Sequence, residues 1–97
     1  MSSAELIITN LEKQTGKKFK KGKFNIDGWV FDDFARYQTD DNDNIVKLKI
    51  TKAGLTKIPD AIFEIKSLKE LSIDGNKLSS LHKDIAQLEN LRYLNIA

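Results

Sequence analysis

The chain has 97 residues, 40% hydrophobic and 31% charged, with a formal net charge of +2 and no cysteine. That size supports one modest core. The missing cysteine excludes disulfides, thiolate metal sites and thiol nucleophiles, and so small a charge excess points to neither nucleic acid nor membrane.

The first residues lack the basic start and apolar core of a signal peptide, and no run approaches the roughly 18 apolar residues of a membrane span. The expectation is a cytoplasmic chain. Ser2 and Glu5 have the spacing of a capping box. Leu6, Ile7 and Leu11 then fall along one helical face, and Gly16 supplies a stop. The pattern predicts a helix over about 3–15.

Next comes KKFKKGKF, which sets Lys17, Lys18, Lys20, Lys21 and Lys23 beside Phe19 and Phe24. Such a cluster can serve nucleic acid. It holds no arginine to read a base edge. Asp27, Asp32, Asp33, Asp40, Asp41 and Asp43 follow soon after and largely cancel its charge. Nucleic acid is therefore disfavoured as a partner. The favoured reading is a solvated basic loop whose two phenylalanines pin it to the core.

Six aromatics fall between 19 and 37: Phe19, Phe24, Trp29, Phe31, Phe34 and Tyr37. They suit a ligand cage or a mechanical plug, and the plug is favoured, because large rings cover much area per residue. The plug includes a short helix near 29–36. TDDNDN then makes a turn, which lets residues 37–39 pair with 45–47 as a hairpin. Asp40, Asn42 and Asn44 have the first-third-fifth spacing of a calcium loop. Ile45 stands where that loop needs glycine, and Thr51 where it needs glutamate. No metal site and no cofactor is expected.

From Asn44 onward the chain repeats. Ile45, Leu68 and Leu91 stand 23 apart, as do Leu48, Leu71 and Leu94, and then Ile50, Ile73 and Ile96. Leu55 matches Leu78, Ile58 matches Leu81, Ile62 matches Ile85, and Ile65 matches Leu88. A fixed period of this length signals a solenoid. KLKI, ELSI and YLNI alternate, which argues for a short half-buried strand in each copy. DAIFEIKSL and KDIAQLENL place apolar residues three apart, as one face of a helical turn does. Pro59 and Asp60 can open the first such turn, with Asp60 as its cap.

These residues resemble the leucine-rich repeat family. SLKELSIDGNKLSSLHKDIAQL fits the pattern LxxLxLxxNxLxxLPxxIxxL, and GLTKIPDAIF carries its proline. The variant is similar to the 23-residue intracellular type and covers about residues 44–97. The resemblance implies an α/β fold, a short solenoid of parallel strands backed by helical turns. It would comprise two full repeats and the strand of a third, with residues 1–43 as a helical and hairpin cap. There are departures. The pattern's asparagine is Asn76 in one copy and Ala53 in the other. A buried amide there satisfies backbone groups in the loop after the strand, so the first repeat is atypical. His82 replaces the proline. Ser79, Ser80, His82 and Asp84 lie close in sequence, but close spacing is not triad geometry. No enzyme is expected.

The resemblance further implies a protein partner, bound on the concave strand face. Alternation puts Lys47, Lys49, Thr51, Glu70, Ser72, Asp74, Tyr93, Asn95 and Ala97 on that face. Stacked in register, Lys47 sits beside Glu70 and Glu70 beside Tyr93. Tyr93 is the candidate anchor, since an aromatic on a rigid sheet loses little entropy on binding. The alternative is a merely solvated face of mixed charge. The last strand leaves Leu91, Leu94 and Ile96 uncovered, and edges of that kind recruit other strands. Either the chain is part of a longer repeat protein, or two copies complete each other as a homodimer.

Overall fold

The computed structural model describes residues 3–26, 35–78 and 83–96. Helix α1 spans Ser3–Thr15. Its buried face is Ala4, Ile8 and Leu11, spaced four and three apart. Leu6, expected on that face, is exposed, and Ile7 is only half-buried. The buried stripe is rotated part of a turn from the expected one, with Ala4 small enough to lie against the core. The Gly16 N–H closes the last turn onto the Glu12 carbonyl at 2.9 Å. The cap proposed at Ser2 lies outside the described residues.

Five strands form one sheet in sequence order: β1 Phe19–Lys21, β2 Ala35–Thr39, β3 Ile45–Ile50, β4 Glu70–Ser72 and β5 Tyr93–Asn95. β3, β4 and β5 run parallel, β2 is antiparallel to β3, and β1 is parallel to β2. The hairpin between β2 and β3 is longer than the alternation suggests, reaching from Thr39↔Ile45 to Ala35↔Ile50. Ala35 and Arg36 therefore belong to a strand, not to the end of a helix near 29–36. The rest of that expected helix, with Trp29, Phe31 and Phe34, lies outside the described residues.

The lysine-rich stretch also departs from expectation. Its centre is a strand, not a loop. Backbone pairing overrides the low strand propensity of lysine, which stands exposed on a sheet edge. The Phe19 N–H, aimed away from β2, is held by the Glu12 carboxylate at 2.9 Å. Phe19 packs against the core, whereas Phe24 lies outside it.

Each parallel crossover carries a five-residue 3-10 turn, Asp60–Glu64 and Lys83–Gln87. The first buries Ala61, Ile62 and Phe63, and the second buries none of its residues. Pro59, not Asp60, is the residue that precedes the first turn, and no side chain caps it. Successive copies are tied by hydrogen bonds about one repeat apart. The Lys69 N–H donates to the Val46 carbonyl at 2.9 Å, and the Arg92 N–H to the Lys69 carbonyl at 2.7 Å. The loop after the strand turns left-handed at the same repeat position, Lys52 with φ 51 and Gly75 with φ 69. A Cβ at Gly75 would stand 2.9 Å from Lys52 Cγ, so this position needs glycine.

The core lies between the strands and the turns. Leu48, Ile50, Leu71 and Ile73 meet Ile58, Ile62, Ile65 and Leu68, joined by Tyr37 and the buried face of α1. Burial fades along the sheet. Leu48 and Leu71 are fully buried, while Leu94, at the same repeat position, is 37% exposed. β5 has a neighbour on one side only.

Candidate functional site

Register sets the side chains of one sheet face in rows. Lys47 pairs with Glu70 and Glu70 with Tyr93; Lys49 pairs with Ser72 and Ser72 with Asn95. The antiparallel strand extends both rows, with Gln38 beside Lys47 and Arg36 beside Lys49. Sequence reasoning missed these two. The alternation of ARYQT carries them, because Ala35 and Tyr37 are buried and Arg36 and Gln38, each one residue on, face the other way.

The first row is charged. Lys47 Nζ lies 3.6 Å from a Glu70 carboxylate oxygen, and both side chains are about three-quarters covered. An ion pair at a surface contributes roughly 0–1 kcal/mol, so its effect is orientation more than stability. Lys47 Nζ also donates to the Phe24 carbonyl at 3.2 Å.

The second row is closed at Lys49 and Ser72. Lys49 is 4% exposed, and its Nζ donates to the Ile26 carbonyl at 2.9 Å. Ser72 is fully buried and Thr51 is 3% exposed. Both hydroxyls donate to the same Asp74 oxygen, at 3.0 Å from Ser72 and 3.3 Å from Thr51. Lys49, Thr51 and Ser72, expected to line the binding face, are therefore buried and not open to a partner. Over Lys49 the cover includes the chain before β2, whose Ile26 carbonyl accepts from its ammonium. The alternation of Phe24 and Ile26 around Asn25 was the one sequence signal of an extended segment there.

The half-buried, reachable residues are Lys47, Glu70, Asp74, Tyr93 and Asn95. At the β5 edge Leu91 and Ile96 are half-buried and Leu94 is exposed. Ala97, Ser79, Ser80 and His82 lie outside the described residues. The Asp40 turn is self-contained. Asp40 Oδ1 accepts the N–H groups of Asn42 and Asn44, each at 2.9 Å, and Oδ2 accepts the Asn44 amide at 3.3 Å. The Asn44 N–H, above all, holds the Asp40 carboxyl below its ordinary value. These bonds occupy the oxygens a cation would use. Among the described residues no group of three or more His, Asp or Glu is placed to hold a metal ion. Nor is any described helix long and apolar enough to cross a membrane.

In the basic stretch Lys21 pairs with Asp43 at 3.5 Å, while Lys18, Lys20 and Lys23 are exposed.

Residues 43–97 match the family described as leucine rich repeat. Among curated proteins the chain is similar to a Dictyostelium discoideum protein, MAP kinase phosphatase with leucine-rich repeats protein 3, at 37% identity over 54 residues. That match covers 55% of this chain and 6% of the relative, so the chain spans a small fraction of that protein's length. No solved structure matches.

Proposed function

Since the chain belongs to the leucine-rich repeat family, we propose that it is a protein–protein interaction module with no catalysis of its own. Proteins of this family generally mediate protein–protein interaction. On this reading residues 44–97 are a short solenoid and residues 1–43 its N-terminal cap. The observation that carries the reading is the row Lys47, Glu70 and Tyr93, set side by side on three hydrogen-bonded strands. A half-buried tyrosine next to an oriented ion pair offers apolar area with little ordering cost. The partner docks on the β4–β5 part of the face, where Glu70, Asp74, Tyr93 and Asn95 remain reachable.

The test places a photo-crosslinking phenylalanine analogue at Tyr93, and separately at Gln87 on the opposite, turn side. In extract of cells that make the protein, the expected result is one discrete adduct from position 93 and none from position 87. Equal labelling from both positions, or none from 93, would remove the concave face as the docking surface.

A second reading has one observation in its favour, the 37% exposure of Leu94 at a repeat position that is otherwise fully buried. It takes the β5 edge, with Leu91, Leu94 and Ile96, as a self-association surface.

A further inference from the structure

The sequence holds two Asp–Gly steps, 27–28 and 74–75. The first lies outside the described residues. At the second the fold forces the choice of glycine. The backbone is left-handed there, with φ 69, and a Cβ would stand 2.9 Å from Lys52 Cγ. A glycine after an aspartate leaves its own nitrogen unshielded, within reach of the neighbouring side-chain carboxyl. Gly75 is exposed and Asp74 only half-buried, so water has access to the pair.

The surroundings hold both reacting groups. The Ser72 and Thr51 hydroxyls donate to Asp74 Oδ1 at 3.0 and 3.3 Å, which fixes the side chain. The Lys52 N–H and the Asn76 amide donate to the Asp74 carbonyl at 3.2 Å each. That carbonyl shares one planar peptide unit with the Gly75 nitrogen, so holding the first holds the second. Ser72 is fully buried and Thr51 is 3% exposed, so their hydroxyls serve no docking partner.

We propose that Asp74–Gly75 is a site of backbone isomerisation, and that Thr51 and Ser72 hold it in the unreacted form. In the step itself the Gly75 nitrogen attacks Cγ of the protonated Asp74 carboxyl. The N–H proton and the carboxyl hydroxyl leave as water, and a five-membered imide closes between the two residues. Water then adds to one imide carbonyl and opens its C–N bond. Opening on the backbone side leaves the chain joined through Cγ, with one methylene more in its main chain and a free carboxylate on Cα. Nothing is oxidised or reduced, and the water lost is regained. The product removes the acceptor that Lys52 and Asn76 share, so the join between the two repeats loosens. It also moves the Asp74 carboxylate, one of the reachable groups of the strand face.

The test ages the full chain in warm neutral buffer. Isoaspartate is read with a carboxyl methyltransferase specific for it, and peptide mapping separates step 74–75 from step 27–28. The reference is a synthetic peptide, SIDGNK, which covers residues 72–77. The folded wild type should isomerise at Asp74 roughly tenfold or more slowly than this peptide, because only opened molecules react. Thr51→Val and Ser72→Ala should each raise the rate several-fold toward that of the peptide. Ile8→Val, which weakens the core away from this turn, should not. If Ser72→Ala loses its far-ultraviolet dichroism, Thr51→Val, which keeps the side-chain shape, carries the comparison. Three outcomes would overturn the proposal: a wild type as fast as the peptide, a peptide that does not isomerise, or folded hydroxyl variants no faster than Ile8→Val.

Discussion

Asn76 spends its whole amide on backbone. Its Oδ1 accepts the Ala53 and Leu55 N–H groups at 2.8 and 3.1 Å. Its Nδ2 donates to the carbonyls of Ile50 and Asp74 at 3.0 and 3.2 Å. Three of those four partners lie in the preceding repeat, where Ala53 holds the asparagine position and can supply none of these bonds. One amide thus serves a loop one period away. Asn76→Ala leaves these half-buried groups without partners, and urea unfolding should show a loss of about 2–3 kcal/mol. Asn76→Asp keeps the acceptor and sets a carboxylate against two carbonyls, so it should not restore stability.

Asp40 gives the second prediction at this scale. The Asn44 N–H first lowers its carboxyl below 3.8, loss of hydration works against it, and the Asn42 N–H, the Asn44 amide and the charge of Lys69 add to the lowering. The folded value lies under the unfolded one. Its stabilisation is therefore present in full above the unfolded value and is lost as pH falls through the folded one. A carbon-detected titration should place the Asp40 midpoint below 3.8. Asp40→Asn should remove that part of the acid-induced fall in stability, and a midpoint at or above the ordinary value would refute the assignment.

Among elements, equivalence in sequence is not equivalence in burial. Leu71 and Leu94 share a repeat position, but one is fully buried and the other 37% exposed. Leu71→Ala should cost about 2–5 kcal/mol. Leu94→Ala should cost less than about 1 kcal/mol, as changes at open positions do. Paired denaturant curves decide it, and equal losses would mean that β5 is packed more fully than its exposure indicates. The repeat itself was legible, because the strand and turn positions carry an apolar residue at the same phase in every copy. The row Lys47, Glu70 and Tyr93 was legible for the same reason, since parallel strands of one period stack like on like. What escaped were contacts with no periodic signal. The carbonyls of Phe24 and Ile26 that meet Lys47 and Lys49 are backbone groups and leave no mark in composition. The strand in the lysine run is fixed by pairing with β2, not by its own residues. The buried face of α1 turned on Ala4, which an apolar count passes over in favour of Leu6.

For the molecule as a whole, the two ends of the sheet differ. At β5 a leucine is open and the next strand position is empty among the described residues. If this edge mediates self-association, light scattering over a dilution series should show the mass rising toward two chains with concentration. Leu94→Lys should return it to one, and a monomer mass at every concentration would end that reading. At β1 the situation is the reverse. Lys20 and Lys21 stand exposed, and Glu12 already holds the outward N–H of Phe19. Such an edge gives an incoming strand little to pair with.

That difference bears on the symmetry an assembly through the sheet edges would have. With the Phe19 N–H taken and lysines beside it, β1 is the poorer edge, and two copies would join their sheets more readily β5 to β5. A contact that uses the same surface on both chains is isologous: a two-fold axis relates them, and two chains satisfy it. Head-to-tail growth needs two unlike, complementary surfaces and runs on into an open fibre. The Glu12 carboxylate, 2.9 Å from the Phe19 amide, thus weakens one of the two surfaces that a filament of these sheets would require.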